Sequence, residues 1–579
     1  MCGLAGELRW DAPPDEARTR RMSAALVHRG PDGEGLLLLE HACLASRRLA
    51  LRAVQAGGQP MSTPDGRWHL VFNGEIDNAD ALRRQLESRY AFRTRSDTEV
   101  LLAALSIEGE PVLPQLDGMF AFCLWDAQRG EALLARDRLG IKPLVFSQQD
   151  GFLFASECKA LLAAGVRPVA DLEALAETMT AAPFSGVVRA PFRDIEMLAP
   201  GERLRVTRDG VERARWWRPN ISGDRRDDVV PAMRALLAEA VSGALVADAP
   251  VGLFLSGGLD STLLAAFAHE AGARPPSYTM AFHDQARFAW SSSRLVVADD
   301  EPYAAEAAAR YGLPRTLCVG ARDEATLARV AAQDDLVPAW EQEVSQHVLA
   351  GRASRDVKAV LVGDAADETH YGYHFLLDEG ALQGPDALLP RFGVAPLRRT
   401  LLGEPRLDFG ARYRAELAAA GHGWGSLAEC RRAMTYLVVT RWLPRLLSNG
   451  DLHTMAHGLE ARVPFGKPAL VDLALRVAPS VALHRGAEKA VLRRVAEGMV
   501  PASIVARRKS ALPKDLASEA LYRGALPAAR RRAPALFHEL FDPTALDALE
   551  QAPWTEADRA VAFRLVALSH WAAHYEVGT

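Results

Sequence analysis

Val251-Gly252-Leu253-Phe254-Leu255-Ser256-Gly257-Gly258-Leu259-Asp260-Ser261 is an apolar run that ends in a glycine-rich turn. A short apolar run bounded by such a turn reads as a buried strand, and Thr262 through Glu270 then reads as a helix. Strand, glycine turn and helix make an anion cradle. Glycines let the backbone approach phosphate oxygens, and the helix amino terminus favours negative charge. Ser256 and Ser261 add hydroxyl donors. The Gly-Lys-Ser/Thr ending of loops that serve cleavage between β- and γ-phosphates is missing. Outward from this turn the alternation continues. Ser277 to Phe282 reads as a strand, Pro302 to Tyr311 as a helix, and Thr316 to Val319 and Lys358 to Val362 as strands. The pattern predicts a doubly wound parallel sheet with ligands at the carboxyl ends of its strands. Gly363-Asp364-Ala365-Ala366-Asp367-Glu368 sits at such an end, so Asp260 and Asp367 could converge on one Mg²⁺ that neutralises the bound phosphates. Capping of the following helix is the plainer alternative for Asp367 and Glu368.

At the start of the chain, Met1-Cys2-Gly3-Leu4 puts cysteine second. Removal of methionine would leave a thiol and an α-amine on one residue. An α-amine ordinarily titrates at about pH 8, so it can serve as base for its own thiol, which points to an amide-cleaving enzyme. Glutamine hydrolysis asks for an arginine fork on the α-carboxylate, carboxylates on the α-ammonium, and amide donors for the oxyanion. Arg48, Glu75, Asp97, Asn73 and Gly74 can fill those roles. Asn73-Gly74-Glu75-Ile76 comes directly after the apolar strand Leu70-Val71-Phe72, and Ser96-Asp97-Thr98-Glu99 leads into a helical run. Singly, Arg48 could be a surface ion pair and Asn73-Gly74 an ordinary turn.

A chain of 579 residues should split into two or more domains. Its 49% hydrophobic and 24% charged residues are ordinary for a soluble globular protein, and a net charge of −5 gives no case for nucleic acid. Six scattered cysteines without metal-ligand spacing point to reduced thiols and a cytoplasmic setting. There is no run of eighteen apolar residues and no secretion-signal pattern, so neither membrane span nor export is expected. The Pro, Asn, Ser and Gly cluster after Trp216-Trp217 suits a connection between domains.

The amino-terminal segment resembles the glutaminase domain of class II glutamine amidotransferases and is similar to that of glutamine-dependent asparagine synthetases. Leu116 to Phe122, Ala135 to Leu144 and Phe154 to Glu157 agree. The Ser256–Ser261 turn looks like the loop of enzymes that cleave ATP to AMP and pyrophosphate. Met455 to Phe465, and Glu488-Lys489 through Arg508-Lys509, are also shared with asparagine synthetases. The resemblance implies an α+β amino-terminal nucleophile domain, a two-layer β sandwich flanked by helices, over residues 1–215. A linker over 216–228 and an α/β doubly wound parallel-sheet synthetase domain over 229–579 would follow. It implies Cys2 as nucleophile, Asn73 and Gly74 as oxyanion hole, Arg48 on the glutamine carboxylate, and Glu75 and Asp97 on its ammonium. It also implies Leu255, Ser256, Gly257, Gly258, Asp260 and Ser261 around ATP, with Met280 and Gly363 near the adenosine. Asp364 and Lys509 would act at the acyl-adenylate, although charge pattern alone reads Lys509 as a solvated cluster with Arg507 and Arg508.

The implied reaction uses ATP and Mg²⁺. Ammonia from glutamine passes internally to a carboxylate activated as acyl-AMP. The expected partners are glutamine, ATP and a carboxylic acid, with no nucleic acid, no membrane, and a homodimer as the assembly considered. Aspartate is the default acid. Asp364, the long segment His283 to Glu301, and Gly466-Lys467-Pro468 in place of the usual Leu-Asp-Lys keep another biosynthetic acid in view. Asp77 stands where tyrosine is usual and is expected to alter the pocket rim. A non-catalytic nucleotide-binding relative and a tRNA-modifying enzyme are the other classes weighed. The last sixty or so residues match no pattern, and Ala528 to Arg532 reads as a charged helix face.

Overall fold

The computed structural model describes residues 2–51, 57–182, 184–186, 189–282, 299–320, 323–384, 387, 409–510 and 518–579. Two six-stranded antiparallel sheets form the first domain. One runs in the order Glu196–Met197, Val145–Ser147, Phe152–Ala155, Cys2–Leu8, Ala42–Arg48, Gly33–Leu38. The other runs Gly210–Arg215, Glu202–Thr207, Glu131–Arg136, Gly118–Asp126, Trp68–Ile76, Met61–Ser62. Strand alternation decides which side chains meet between them. Leu4 and Leu8 face Val71, Cys123, Trp125 and Leu134 in the inter-sheet core, while Ala5 points outward to helix Glu16–Ala25 and its neighbours. Helix Asp97–Glu108 covers the other outer face. The result is the helix-flanked β sandwich that the resemblance implies.

The second domain is built on a five-stranded sheet in the order Arg315–Val319, Ser277–Ala281, Val251–Phe254, Ala359–Leu361, Glu460–Arg462. All four pairings are parallel. The predicted strands are present, slightly shifted at their ends. The fifth, Glu460–Arg462, escapes a reading by periodicity because three residues carry no period. Asn73-Gly74-Glu75 also differs from the expected turn after a strand. The strand continues from Trp68 to Ile76, with Asn73 paired to Ala121 and Gly74 to Phe120. The long segment 283–298, with Trp290 to Ser293, lies outside the described residues.

The chain's last residues return to the first domain. Helices Glu519–Arg532 and Glu556–His574 bury Leu526, Phe563 and Trp571 in one core with Met22, Leu153, Leu175 and Phe192. The expected charged face holds for its exposed side: Arg530 pairs with Asp547 at 2.5 Å and Arg532 with Glu324 at 2.7 Å, while Ala529 is buried.

The domains also meet through buried charge. Arg29 reaches Glu157 and, across the junction, Asp451, each at 2.6 Å. Lys142 meets the same Asp451 at 3.0 Å. Burial would lower the Arg29 pKa, but Asp451 and Glu157 hold it above its ordinary value.

Candidate active sites

Cys2 opens the first strand, in register with Arg48 at the end of its neighbour. Its backbone N–H donates to Asn73 Oδ1 at 3.1 Å. The other amide atom, Asn73 Nδ2, is buried without a hydrogen-bond partner. A buried amide N–H₂ with no acceptor beside a thiol is a donor reserved for something not yet present. Gly74 follows at φ 150°, and a Cβ there would lie 2.0 Å from Met119 O, so only glycine lets the strands approach.

In front of Asn73 opens a cleft of about 430 Å³, continuous with solvent, with Cys2, Arg48, Gln59, Gly74, Glu75 and Asp97 on its walls. Asp97 is held by two backbone amides, Ile76 N at 3.1 Å and Thr98 N at 2.9 Å, because it begins the helix capped by Ser96. Burial pushes the Cys2 thiol pKa up, while the amino-terminal charge and Arg48 pull it down. The net shift is upward, so the thiol form prevails until a base takes its proton. Gln59 has no sequence signal: its Nε2 lies 3.8 Å from Cys2 Sγ, and its Oε1 accepts from Phe72 N at 2.7 Å. Two further wall residues, Glu460 and Arg462, come from the second domain's sheet. Arg462 meets Glu75 at 3.0 Å and Glu460 at 2.6 Å.

The second site stands at the carboxyl ends of the parallel strands. Leu255 is anchored there, its N–H donating to Tyr278 O at 2.9 Å. Gly257 has φ 68°, and a Cβ there would lie 2.4 Å from Ala304 N. Ser261 Oγ lies 3.1 Å from Ser256 Oγ and accepts from Ser256 N at 3.3 Å, which closes the turn over the first helical residues Leu259 and Asp260. Met280 is buried on the adjoining strand, and Gly363 is close enough that a Cβ would lie 3.2 Å from that of Asp260.

Asp260 and Asp367 do converge. Lys489 Nζ bridges them, 2.5 Å from Asp260 Oδ2 and 2.6 Å from Asp367 Oδ1, and Lys509 Nζ pairs with Asp367 Oδ2. Burial raises the Asp260 pKa; Asp367, equally buried, is held below its usual range by the two lysines. Asp260 Oδ1 is buried without a hydrogen-bond partner. Two carboxylates spanned by one ammonium, with an oxygen left over, fit the hard-oxygen preference of Mg²⁺. Sequence reasoning quoted Lys489 only within a longer motif; its φ of 54° at the start of helix Ala490–Ala496 marks it as a constrained position. Arg507, expected to be solvated, instead donates to Gly257 O at 3.1 Å and pairs with Asp300 at 2.5 Å. Lys509 is likewise no part of a solvated cluster. Asp364 is held up at about 6 by burial, with Lys509 opposing.

Two departures noted in the sequence are partners. Lys467 Nζ lies 3.6 Å from Asp77 Oδ2 and 3.3 Å from Asp117 Oδ2. Asp77 is not among the residues lining the cleft beside Cys2, and Lys467 joins the second domain to the first.

Fold and sites together define a glutamine amidotransferase of the amino-terminal-nucleophile type fused to a nucleotide-binding synthetase. Residues 1–217 match the family model for the glutamine amidotransferase domain, and residues 232–573 match that for asparagine synthase. The chain is 30% identical over 590 residues to asparagine synthetase [glutamine-hydrolyzing] 3 of Bacillus subtilis, covering 95% of this chain and 93% of that one. It is 28% identical to asparagine synthetase B [glutamine-hydrolyzing] of Escherichia coli, covering 88% and 81%. The chain belongs to the asparagine synthase family, and with it to the ATP-dependent ligases that carry out glutamine-dependent amidation. No helix among the described residues is long and apolar enough to cross a membrane.

Proposed function

We propose that this chain converts aspartate to asparagine, with glutamine as nitrogen donor. Once Met1 is removed, the Cys2 thiolate attacks the side-chain amide carbon of glutamine, with its own α-amine taking the thiol proton. Asn73 Nδ2 and the Gly74 N–H receive the oxyanion. Arg48 holds the substrate carboxylate, and Glu75 and Asp97 hold its ammonium. Ammonia leaves, and water hydrolyses the thioester to glutamate.

At the second site Ser256, Gly257, Gly258, Asp260 and Ser261 cradle the pyrophosphate of ATP, with Leu255 anchoring the loop and Met280 and Gly363 beside the adenosine. Asp260 and Asp367 would hold Mg²⁺, which supplies neutralisation of the leaving pyrophosphate. The acid's carboxylate displaces pyrophosphate at the α-phosphorus; ammonia then attacks the acyl carbon and AMP departs. Lys509, paired with Asp367, would stabilise the charge that gathers between α-phosphate and pyrophosphate, and Asp364 would border the same space.

The single observation that supports this reading is the unpartnered Asn73 Nδ2 beside Cys2, a residue lining a cleft to which the synthetase sheet contributes Arg462. A wall built by both domains suits the handing of ammonia from one site to the other. The test supplies amide-¹⁵N glutamine, ATP and Mg²⁺ with each of a panel of carboxylic acids, and follows pyrophosphate and amide-¹⁵N product. Aspartate should give ¹⁵N-asparagine; product from a different acid would replace the acceptor, and no acid-dependent pyrophosphate from any would refute the synthetase reading.

A further inference from the structure

A third polar cluster lies outside both sites, fully inside the second domain. Asp334 follows helix Glu324–Gln333, Glu343 belongs to helix Gln342–Ala353, and His453 to helix Leu443–Met455. All three are buried to 1% exposure or less. Each carboxylate has one oxygen fixed by the protein. Asp334 Oδ1 accepts from Leu336 N at 3.0 Å; Glu343 Oε1 accepts from Ala339 N at 3.1 Å and Asn449 Nδ2 at 3.0 Å, with Arg445 Nη2 beyond at 3.9 Å. The other two oxygens, Asp334 Oδ2 and Glu343 Oε2, have no hydrogen-bond partner, and neither has either ring nitrogen of His453. Those oxygens lie 4.0 and 3.9 Å from His453 Nε2, and the three ligand atoms fall within 4.8 Å of one another.

The separations from His453 Nε2 are too long for direct hydrogen bonds, and three ligand atoms gathered this closely suit a shared ligand. Buried polar atoms without partners are rare, and three of them, one from each side chain, lie close enough to share an occupant. The oxygen of each carboxylate that does not face the centre is held by backbone or amide donors, as in a metal's outer shell, whereas His453 Nδ1 has no partner. Helical spacing adds further imidazoles: His347 stands four residues after Glu343 and His457 four after His453, with their ring centroids 4.4 Å apart. Among the described residues no other group of three such side chains is so arranged.

We propose that Asp334 Oδ2, Glu343 Oε2 and His453 Nε2 bind one divalent transition-metal ion of the Zn²⁺, Fe²⁺ or Mn²⁺ class. One nitrogen and two oxygens suit these borderline ions better than Mg²⁺ or Ca²⁺. The ion ties three helices together behind the adenylation site. One turn before His453, a Cβ at Gly450 would lie 3.3 Å from Gln346 Nε2 and 3.5 Å from Asp364 Oδ2, so the tied helices form the wall on which Asp364 rests. The ion is structural in this position and distinct from the Mg²⁺ of the pyrophosphate site.

The test is elemental analysis of the tag-free full chain, purified without chelator, followed by chelation and Co²⁺ titration monitored in the visible range. We expect about one ion per chain, and a Co²⁺ d–d spectrum saturating at the same stoichiometry. His453→Gln and Glu343→Gln should each weaken Co²⁺ binding at least ~10-fold, while Asp260→Asn retains it. The wild-type measurement stands even if a variant folds poorly. Wild-type protein without bound metal and without a Co²⁺ spectrum would overturn the proposal in favour of a proton shared by Asp334 and Glu343. So would unchanged binding in His453→Gln.

Discussion

Cys2 and Asp364 show how single side chains are tuned by what surrounds them. Asn73 holds the Cys2 backbone with one amide atom and leaves the other unpartnered, the donor that the proposed reaction gives to the oxyanion. Removing such a donor costs a glutaminase on the order of 10²–10³ in turnover. Asn73→Ala should show that loss in glutamate release, and Cys2→Ala should abolish it, while ammonia-driven amide formation persists in both; equal loss of both activities would break the two-site reading. Asp364 is the reverse case, a carboxyl kept where its ionised form is costly. Its folded pKa of about 6 exceeds the unfolded value near 3.8. Folding therefore takes up protons between pH 4 and 6, and the stability carried by the protonated form is lost as pH rises through that window, amounting to about 3 kcal/mol above it. Asp364→Asn should raise the unfolding midpoint most above pH 6, with the gain shrinking as pH falls towards 4. A gain independent of pH would mean that ionisation of Asp364 is not the cause.

At the scale of elements, the glycine turn after Val251–Phe254 works because its backbone leaves no room for side chains, with the amide of Ala304 lying against Gly257. Helix Leu259–Glu270 then presents Asp260, and the short helix Ala366–Thr369 that follows strand Ala359–Leu361 presents Asp367, because their strands are neighbours in the sheet. Lys489 joins the two. Lys489→Ala leaves two buried carboxylates facing each other, with Lys509 as the nearby cation, and should cost about 3–5 kcal/mol. If these oxygens do hold Mg²⁺, added Mg²⁺ should raise the unfolding temperature of Lys489→Ala more than that of the parent protein. An equal response in both would remove the metal role from this pair. The three-residue strand Glu460–Arg462 matters for the same topological reason: its position at the sheet edge carries Arg462 into the glutamine cleft.

Across the whole molecule, the domains are joined by charge as well as by apolar surface. Asp451 accepts both Arg29 and Lys142 in a site closed to water. Asp451→Ala would strand two buried cations, of which Arg29 keeps Glu157, and should destabilise the chain by about 3–5 kcal/mol in urea unfolding. The loss should be far larger than for Lys467→Ala, whose partners Asp77 and Asp117 are partly exposed. Comparable small losses in both would show that the buried network is not what fastens the domains. The carboxyl-terminal helices add a second fastening by burying Trp571 against Phe192 of the first domain.

The sequence by itself determined both chemistries. The Cys2 terminus, the Asn73-Gly74-Glu75 run and the Ser256–Ser261 turn are local, because a strand end or a tight turn fixes its residues within a few positions of one another. Periodicity likewise gave the strands and helices of the parallel sheet, since burial of one face repeats along the chain. Tertiary structure decided what depends on contacts between distant segments. It brought Lys489 between Asp260 and Asp367, Gln59 to Cys2, and Arg462 to Glu75. It paired the unusual Asp77 with the unusual Lys467, and it returned the last helices to the first domain. It gathered Asp334, Glu343 and His453 from three helices. No period or motif records such pairings, because each partner alone reads as an ordinary polar residue, and only burial gives their charges and unpartnered atoms a meaning.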